Sequence, residues 1–405
     1  MCGIAGAAYR QSRIDKNDLQ LMQVSLAHRG PDDCGIHVDA DNGVGFVHTR
    51  LSILDLTDAG HQPMFSPDGS LCLVYNGEIY NYKEIRTQLE SRGHRFTSNT
   101  DTEVILAAYR DWQAHCLDRF IGMFAIALWD RNRRRLLLAR DRVGVKPLYY
   151  YWDGSTFLFA SELKALVANP AFHTRISPAA VAEYLRWGYV PSPLCIFENT
   201  YKVSPGHYVF LTHSFQISDH QYWAIEPIRD RIPSAIQERS VEEIRGLMAS
   251  AFGYRMVSDV PVGLFLSGGI DSSLVAAVLR KEAGYALTTF TLGFKEPAYN
   301  ESPWARSVAS VLGTDHHELI CAPADVRPVI EQLPRMFDEP FADSSSIPTY
   351  LIAKYAREFV KVALSADGGD ELFGGYSHYK RILSLARYKR ALPGGMISGT
   401  INTLM

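Results

Sequence analysis

The sequence predicts a two-domain α/β protein, layered antiparallel sheets first and a doubly wound parallel sheet second. Three observations carry this expectation. At 405 residues the chain is longer than one core ordinarily organises. Up to about residue 205, short apolar strands come in runs with helices grouped between them, the pattern of stacked antiparallel sheets. From residue 241 strands and helices alternate instead, the pattern of a parallel sheet.

Taken in order, strands are expected at 44–47, 71–75, 124–129, 136–139, 148–151 and 157–160. Helical periodicity covers 15–28 and 82–91, where Ile85 and Leu89 stand on one face. Arg131-Asn132-Arg133-Arg134-Arg135 lies between two strands and reads as a charged turn rather than a nucleic-acid patch. Residues 211–240 are polar and hold Pro227 and Pro233, so they read as a linker. Strand 262–266 then opens the alternating series: helix 271–281, strand 288–294, helix 302–312, strand 317–320, helix 347–358, strand 360–364. The expected division is therefore 1–210, a linker 211–240, and 241–405.

Hydrophobic content of 47% and charged content of 21% belong to the soluble globular class. A net charge of −3 argues against a nucleic-acid footprint. No apolar run approaches the ~20 residues of a spanning helix, so no membrane contact is expected. No basic region followed by an apolar stretch opens the chain, so no signal peptide is expected. The six cysteines (Cys2, Cys34, Cys72, Cys116, Cys195, Cys321) include no C-x-x-C pair. That spacing suits neither zinc nor a disulfide framework and fits a reducing cytoplasm.

The chemistry begins at Cys2 in Met1-Cys2-Gly3-Ile4-Ala5-Gly6. Removal of Met1 leaves one residue with a thiol and a free α-amine, which, at a usual pKa of about 8, can serve as base for its own side chain. Arg29-Gly30-Pro31-Asp32 is a tight turn, and Arg50 offers a planar fork for a carboxylate. Asn76-Gly77-Glu78 follows a strand and pairs a side-chain amide with an unhindered backbone N–H, two donors suited to an oxyanion. Asp101 can bind an ammonium group. Each has a plainer reading: a hairpin turn at Asn76-Gly77, a surface cation at Arg50, a helix N-cap at Asp101.

Together, Met-Cys-Gly-Ile-Ala-Gly, Arg-Gly-Pro-Asp and Asn-Gly-Glu resemble the N-terminal-cysteine (class II) glutamine amidotransferases over residues 1–205. The resemblance implies an αββα sandwich of the N-terminal-nucleophile type. It implies that Cys2 attacks the glutamine amide while its amine shuttles the proton, with Asn76 and Gly77 stabilising the oxyanion. Arg50 would hold the substrate α-carboxylate, and Glu78 and Asp101 its α-amino group. Asp141 to Tyr150 also matches the family and is read as structural.

In the second part, Ser267-Gly268-Gly269-Ile270-Asp271-Ser272-Ser273 joins a strand to a helix. Small residues let backbone N–H groups close on phosphate, and the helix start adds a favourable dipole. The loop lacks the Gly-Lys-Ser/Thr of a Walker A motif; Asp271 offers a carboxylate for Mg²⁺ instead. Ser-Gly-Gly-x-Asp-Ser resembles the pyrophosphate loop of ATP pyrophosphatases. Ser365-Ala366-Asp367-Gly368-Gly369-Asp370-Glu371 resembles the acidic loop of asparagine synthetases, with Ala366 where that family usually has glycine. Asp367, Asp370 and Glu371 are candidates for metal and proton handling, and Leu266 and Leu292 would frame the adenine. Asp338 to Ser345 is either part of the acceptor site or a helix-capping turn.

A glutaminase joined to this loop is similar to glutamine-hydrolysing asparagine synthetase. The implied substrates are glutamine, aspartate and ATP, with Mg²⁺, acting in the cytoplasm in a chain that forms a homodimer. The same family amidates other carboxylates, so the acceptor stays open at this point. The family's synthetase domain normally continues further, past a lysine that contacts the activated intermediate, so the expectation is a chain incomplete at its C-terminus.

Overall fold

Strand β1 (Gly3–Tyr9) starts immediately after Cys2 because Gly-Ile-Ala-Gly-Ala-Ala can be buried on both faces, and all six of those residues are. In the computed structural model, residues 1–11, 13–225 and 241–391 are described. The expected linker residues 226–240 and the chain end from 392 lie outside them.

Eleven further strands complete two sheets in the first part of the chain: β2 (Asp33–Asp39), β3 (Val44–Arg50), β4 (Met64–Phe65), β5 (Leu71–Ile79), β6 (Gly122–Asp130), β7 (Arg135–Arg140), β8 (Tyr149–Trp152), β9 (Thr156–Ala160), β10 (Thr200–Lys202), β11 (His207–Thr212) and β12 (Ile217–Gln221). Their orders are β10-β8-β9-β1-β3-β2 and β12-β11-β7-β6-β5-β4. The sheets stack through Ile4, Phe46 and Phe159 of one against Val74, Ala127 and Leu138 of the other. Helices cover both outer faces. Leu19 and Met22 of α1 (Lys16–Ser25) pack with Ala5, Val47 and Leu158. Ile85 and Leu89 of α2 (Tyr82–Ser91) and Val104 of α3 (Asp101–Trp112) pack with Leu73, Leu128 and Leu137. The period of two along β5 makes this work: Leu71, Leu73 and Tyr75 face the helices, Cys72 and Val74 the facing sheet. This is the expected αββα sandwich.

The arginine-rich run forms the turn between β6 and β7, with Arg131 on Asp39 and Arg133 on Asp130. The expected linker is corrected at its start. Residues 217–221 are β12, paired antiparallel with β11, so the sheet extends past residue 210.

After α4 (Leu163–Val167), α5 (Pro178–Trp187) and α6 (Val241–Tyr254) come four strands, β13 (Val262–Phe265), β14 (Thr288–Phe294), β15 (Asp315–Cys321) and β16 (Val362–Leu364), ordered β15-β14-β13-β16. β13 pairs parallel with β14, and β14 with β15. Helices α7 (Ile270–Ala277) and α8 (Ser302–Leu312) alternate with them. Two helices, α9 (Pro323–Met336) and α10 (Ser346–Ala356), precede β16. Short α11 (Gly369–Phe373) and α12 (Ser377–Ala391) follow it. The chain divides into two units, Met1–Pro261 with Ala322–Val362, and Val262–Cys321 with Ala363–Met405.

Candidate active site

Cys2 is half-buried at the head of β1, in the middle of its sheet. The Leu51 N–H points at its sulfur at 3.4 Å. Burial pushes the thiol pKa up, and the Leu51 hydrogen bond pulls it partly back. A neutral resting thiol needs a base at hand. The α-amine of Met1, one residue before Cys2, is lowered to about 5, chiefly by burial. An amine in this place is neutral at neutral pH and can take a proton.

The donors opposite the thiol come from one strand edge. On β5, the Tyr75 N–H donates to Gln62 Oε1 at 2.7 Å and the Ile79 N–H to Asp101 Oδ2 at 2.8 Å. Gly77 lies midway on the same edge. Its cross-strand partner Phe124 commits both its C=O and its N–H to Asp141, at 2.9 and 3.1 Å. The Gly77–Phe124 pair is therefore a non-hydrogen-bonded rung, and the Gly77 N–H faces away from β6. No side chain fits at Gly77, since a Cβ would lie 2.2 Å from Met123 O. Beside it, Asn76 is buried and its Nδ2 has no hydrogen-bond partner among the described residues. A buried, unpaired donor is costly. Asn76-Gly77 is thus mid-strand and not a hairpin turn.

Cys2, Arg50, Leu51, Gln62, Gly77, Glu78 and Asp101 line one cavity of about 30 Å³, room for about one water. Asp101 is not an N-cap: Thr100 caps α3, and Asp101 reaches back to Ile79 N and to the Tyr75 hydroxyl at 2.9 Å. Burial raises Asp101 to about 6 despite those bonds. Burial and the neighbouring Asp101 charge drive Glu78 well above the usual carboxylate range. Both acids lie on the cavity wall with their pKa values raised, Asp101 buried and Glu78 half-buried. Arg50 is buried rather than a surface cation. Its Nη1 donates to Thr57 O at 2.9 Å and its Nη2 to Leu54 O at 3.1 Å, so the fork is fixed by loop carbonyls at the cavity wall.

Three contributors were not singled out in the sequence. Gln62 and the Leu51 backbone carry no motif. Lys146 sits inside the Asp141–Tyr150 motif; its ammonium is buried, lowered to about 8 by that burial, and donates to Met1 Sδ at 2.8 Å. Asp141 itself is structural as expected, accepting N–H bonds from Phe124, Val143, Val145 and Lys146.

In the other unit, strand order turns back between β13 and β16, the switch point at which open α/β sheets bind ligands. The Ser267–Ser273 loop follows β13 and the Ser365–Glu371 loop follows β16. They meet where the Asp271 carboxylate lies against Gly369, 2.4 Å from where a Cβ would stand. Gly268 adopts φ +80° with Ala305 N in its way at 2.6 Å, so the loop requires glycine there. Ser267 Oγ and Ser272 Oγ are 2.9 Å apart, and Ser273 Oγ is buried without a partner among the described residues. Leu266 is buried behind the loop and Leu292 is half-buried. Ala366 is half-buried, and Ser365 Oγ donates to Asp367 Oδ2 at 2.7 Å. Asp370 Oδ1 lies against Gly375, while Glu371 accepts from the Tyr376 hydroxyl at 2.7 Å. No group of three acidic, His or Cys ligands stands ready for a metal among the described residues.

In the Asp338–Ser345 segment, Ser345 is the N-cap residue of α10, and the first two acids are engaged by the protein itself. Asp338 accepts from Leu163 N at 2.6 Å and Lys164 Nζ at 3.2 Å; Glu339 accepts from Ile196 N at 2.8 Å and Lys202 Nζ at 2.6 Å.

Stacked antiparallel sheets with a thiol at the head of the central strand, followed by a parallel sheet with a phosphate-type loop, define an amidotransferase of the N-terminal-nucleophile class joined to a nucleotide-binding α/β unit. Residues 1–223 match the family described as glutamine amidotransferase domain, and residues 243–404 that described as asparagine synthase. Over 399 residues the chain is 39% identical to the putative asparagine synthetase (glutamine-hydrolyzing) 2 of Methanocaldococcus jannaschii, covering 93% of this chain and 76% of that protein. Over 402 residues it is 36% identical to asparagine synthetase (glutamine-hydrolyzing) 1 of Bacillus subtilis, covering 98% of this chain and 62% of that protein. A third relative, amidase chry2 of Gibberella zeae, is 32% identical over 94% of this chain and 60% of its own length. The chain belongs to the glutamine-hydrolysing asparagine synthetase family. It spans between three-fifths and about three-quarters of the length of these relatives. No helix among the described residues is long and apolar enough to cross a membrane.

Proposed function

We propose that this chain carries out ATP-dependent, glutamine-hydrolysing asparagine synthesis, with residues 1–210 as glutaminase and 241–405 as synthetase, in the cytoplasm and as a homodimer. The observation that carries the reading is the edge-facing Gly77 in one cavity with Cys2, next in sequence to the buried and unpaired Asn76 amide. The sulfur bonds to the glutamine amide carbon, and the thiol proton passes to the Cys2 α-amine. Asn76 and Gly77 hold the developing oxyanion. The C–N bond breaks, ammonia leaves with the shuttled proton, and water cleaves the thioester to glutamate. Arg50 is the carboxylate partner and Glu78 with Asp101 the ammonium partner of the substrate.

At the second site aspartate attacks the α-phosphate of ATP, giving β-aspartyl-AMP and pyrophosphate, and ammonia displaces AMP to form asparagine. Leu266, Ser267, Gly268, Gly269, Asp271, Ser272, Ser273, Leu292, Ser365, Ala366 and Asp367 are the ATP contacts. Mg²⁺ would neutralise phosphate charge, held by Asp271 and Asp370. The test follows glutamate, asparagine and AMP together in glutamine, aspartate, ATP and Mg²⁺. Asparagine equal to AMP supports the reading; glutamate without AMP contradicts the synthetase half. A second reading is an amidotransferase of the same family acting on another carboxylate such as a sugar acid, or a fragment with glutaminase activity only. AMP formed with another acid and not with aspartate would select the former.

A further inference from the structure

A line of charges runs from the nucleophile to the segment around Asp338, which lies within the residues matched by the asparagine synthase family. Arg29 Nε donates to the Cys2 carbonyl oxygen at 2.9 Å. Its Nη1 is 2.6 Å from Glu162 Oε1, and its buried Nη2 has no partner among the described residues. Glu162 Oε2 is 2.6 Å from Lys164 Nζ, and the same Nζ is 3.2 Å from Asp338 Oδ1. Asp338 Oδ2 accepts the Leu163 N–H at 2.6 Å, locking the start of α4. His28 Nε2 also reaches Glu162 Oε2, at 3.1 Å.

Geometry gives this line a purpose beyond holding the fold. Side-chain exposures are 9% for Arg29, 13% for Glu162, 27% for Lys164 and 9% for Asp338, so the Arg29–Glu162 pair is weakly screened and the Lys164 link is partly open to solvent. Removing one partner strands the next charge, because Glu162 is the bridge between Arg29 and Lys164. Arg29 grips the backbone of Cys2 itself and leaves the substrate-facing groups Arg50, Glu78 and Asp101 alone. A shift in Arg29 therefore moves the sulfur relative to Asn76 and Gly77 without altering how glutamine is held.

We infer that Arg29, Glu162, Lys164 and Asp338 form a positioning relay that makes glutamine hydrolysis by Cys2 depend on the seating of Asp338. The relay rests on the glutaminase reading above. Arg29 is the positioning residue for Cys2, and Asp338 is the control point.

The experiment measures glutamate released from glutamine alone by the full chain and by Lys164→Met, Asp338→Asn and the double variant. Competent sites are counted by alkylation of Cys2 with an electrophilic glutamine analogue, so misfolded protein does not enter the rate. Each single variant is expected to lose kcat per counted site by about ten-fold at unchanged KM, the sensitivity of a displaced reacting group. The double variant is expected to lose no more than either single one, as members of one network do. Lys164→Arg, which keeps the charge, is expected to recover most of kcat. Wild-type kcat per counted site in both single variants overturns the relay, as does a rise in KM with kcat intact, or additive losses. A wild-type chain that alkylates at Cys2 yet releases no glutamate fails the glutaminase reading instead.

Discussion

At the scale of single residues, the site depends on groups whose burial is unfavourable without substrate. Cys2→Ala is expected to abolish glutamate release while any ammonia-dependent AMP formation continues. Glutamate release retained by that variant would remove Cys2 as nucleophile. Asn76→Ala is expected to lower the glutaminase kcat by about 10²–10³-fold with little change in KM, as loss of one oxyanion donor does. The acids set a pH dependence. Burial raises Asp101 to about 6, and burial with the Asp101 charge raises Glu78 well above the usual carboxylate range. A carboxyl raised on folding adds stability only below its unfolded pKa, and that contribution is lost as pH rises through about 6. Ionised Asp101 therefore costs stability at neutral pH, and it is the ionised form that attracts an ammonium. We expect kcat/KM for glutamine to fall as pH drops below about 6. At pH 7.5, Asp101→Asn should raise KM while leaving the thermal midpoint unchanged or higher. An unchanged KM would take Asp101 out of the substrate site. Cys2 and Asn76-Gly77 were legible in the sequence because their chemistry is local. Gln62 and Arg29 were not, because their roles depend on what Tyr75 and Cys2, 13 and 27 residues away, bring to them.

At the scale of elements, strands with strict alternation were the most readable. β5 was expected over 71–75 and runs four residues further, through Asn76-Gly77-Glu78-Ile79, because the polar residues there are buried against a cavity rather than solvent. β12 was read as linker because Ser218, Asp219, His220 and Gln221 give it the composition of an edge strand. α9 was missed because Pro328 and Pro334 stand inside it, residues that ordinarily end a helix. Two tests belong here. Leu128, fully buried on β6, should cost about 2–5 kcal/mol of unfolding free energy in denaturant when changed to alanine. Gly268→Ala forces a side chain into a left-handed backbone position against Ala305 and should suppress ATP-dependent AMP formation while leaving glutamate release at its wild-type rate. Equal loss of both activities would mean that the phosphate loop is not where ATP binds.

At the scale of the whole molecule, two kinds of sheet serve two kinds of chemistry. A sandwich buried on both sides holds a thiol and its donors rigidly, and a parallel sheet offers a switch point where two loops meet. That plan was legible from periodicity alone, since it follows from how strands and helices are spaced. The charges linking Cys2 to Asp338 were not, because residues 2, 29, 162, 164 and 338 share no motif and meet only after both sheets have formed. The edge of β5 carries one more consequence. An unpaired strand edge is ordinarily a template for a foreign strand, and here Gln62 and Asp101 blunt it on either side of Gly77. In the proposed site, the bound amide would take the place of a single rung beyond the end of β4, which pairs with β5 only at Cys72 and Leu73. A compound that imitates an extended peptide at that rung, presenting one carbonyl to Gly77, should compete with glutamine by β-strand addition rather than by resembling its side chain.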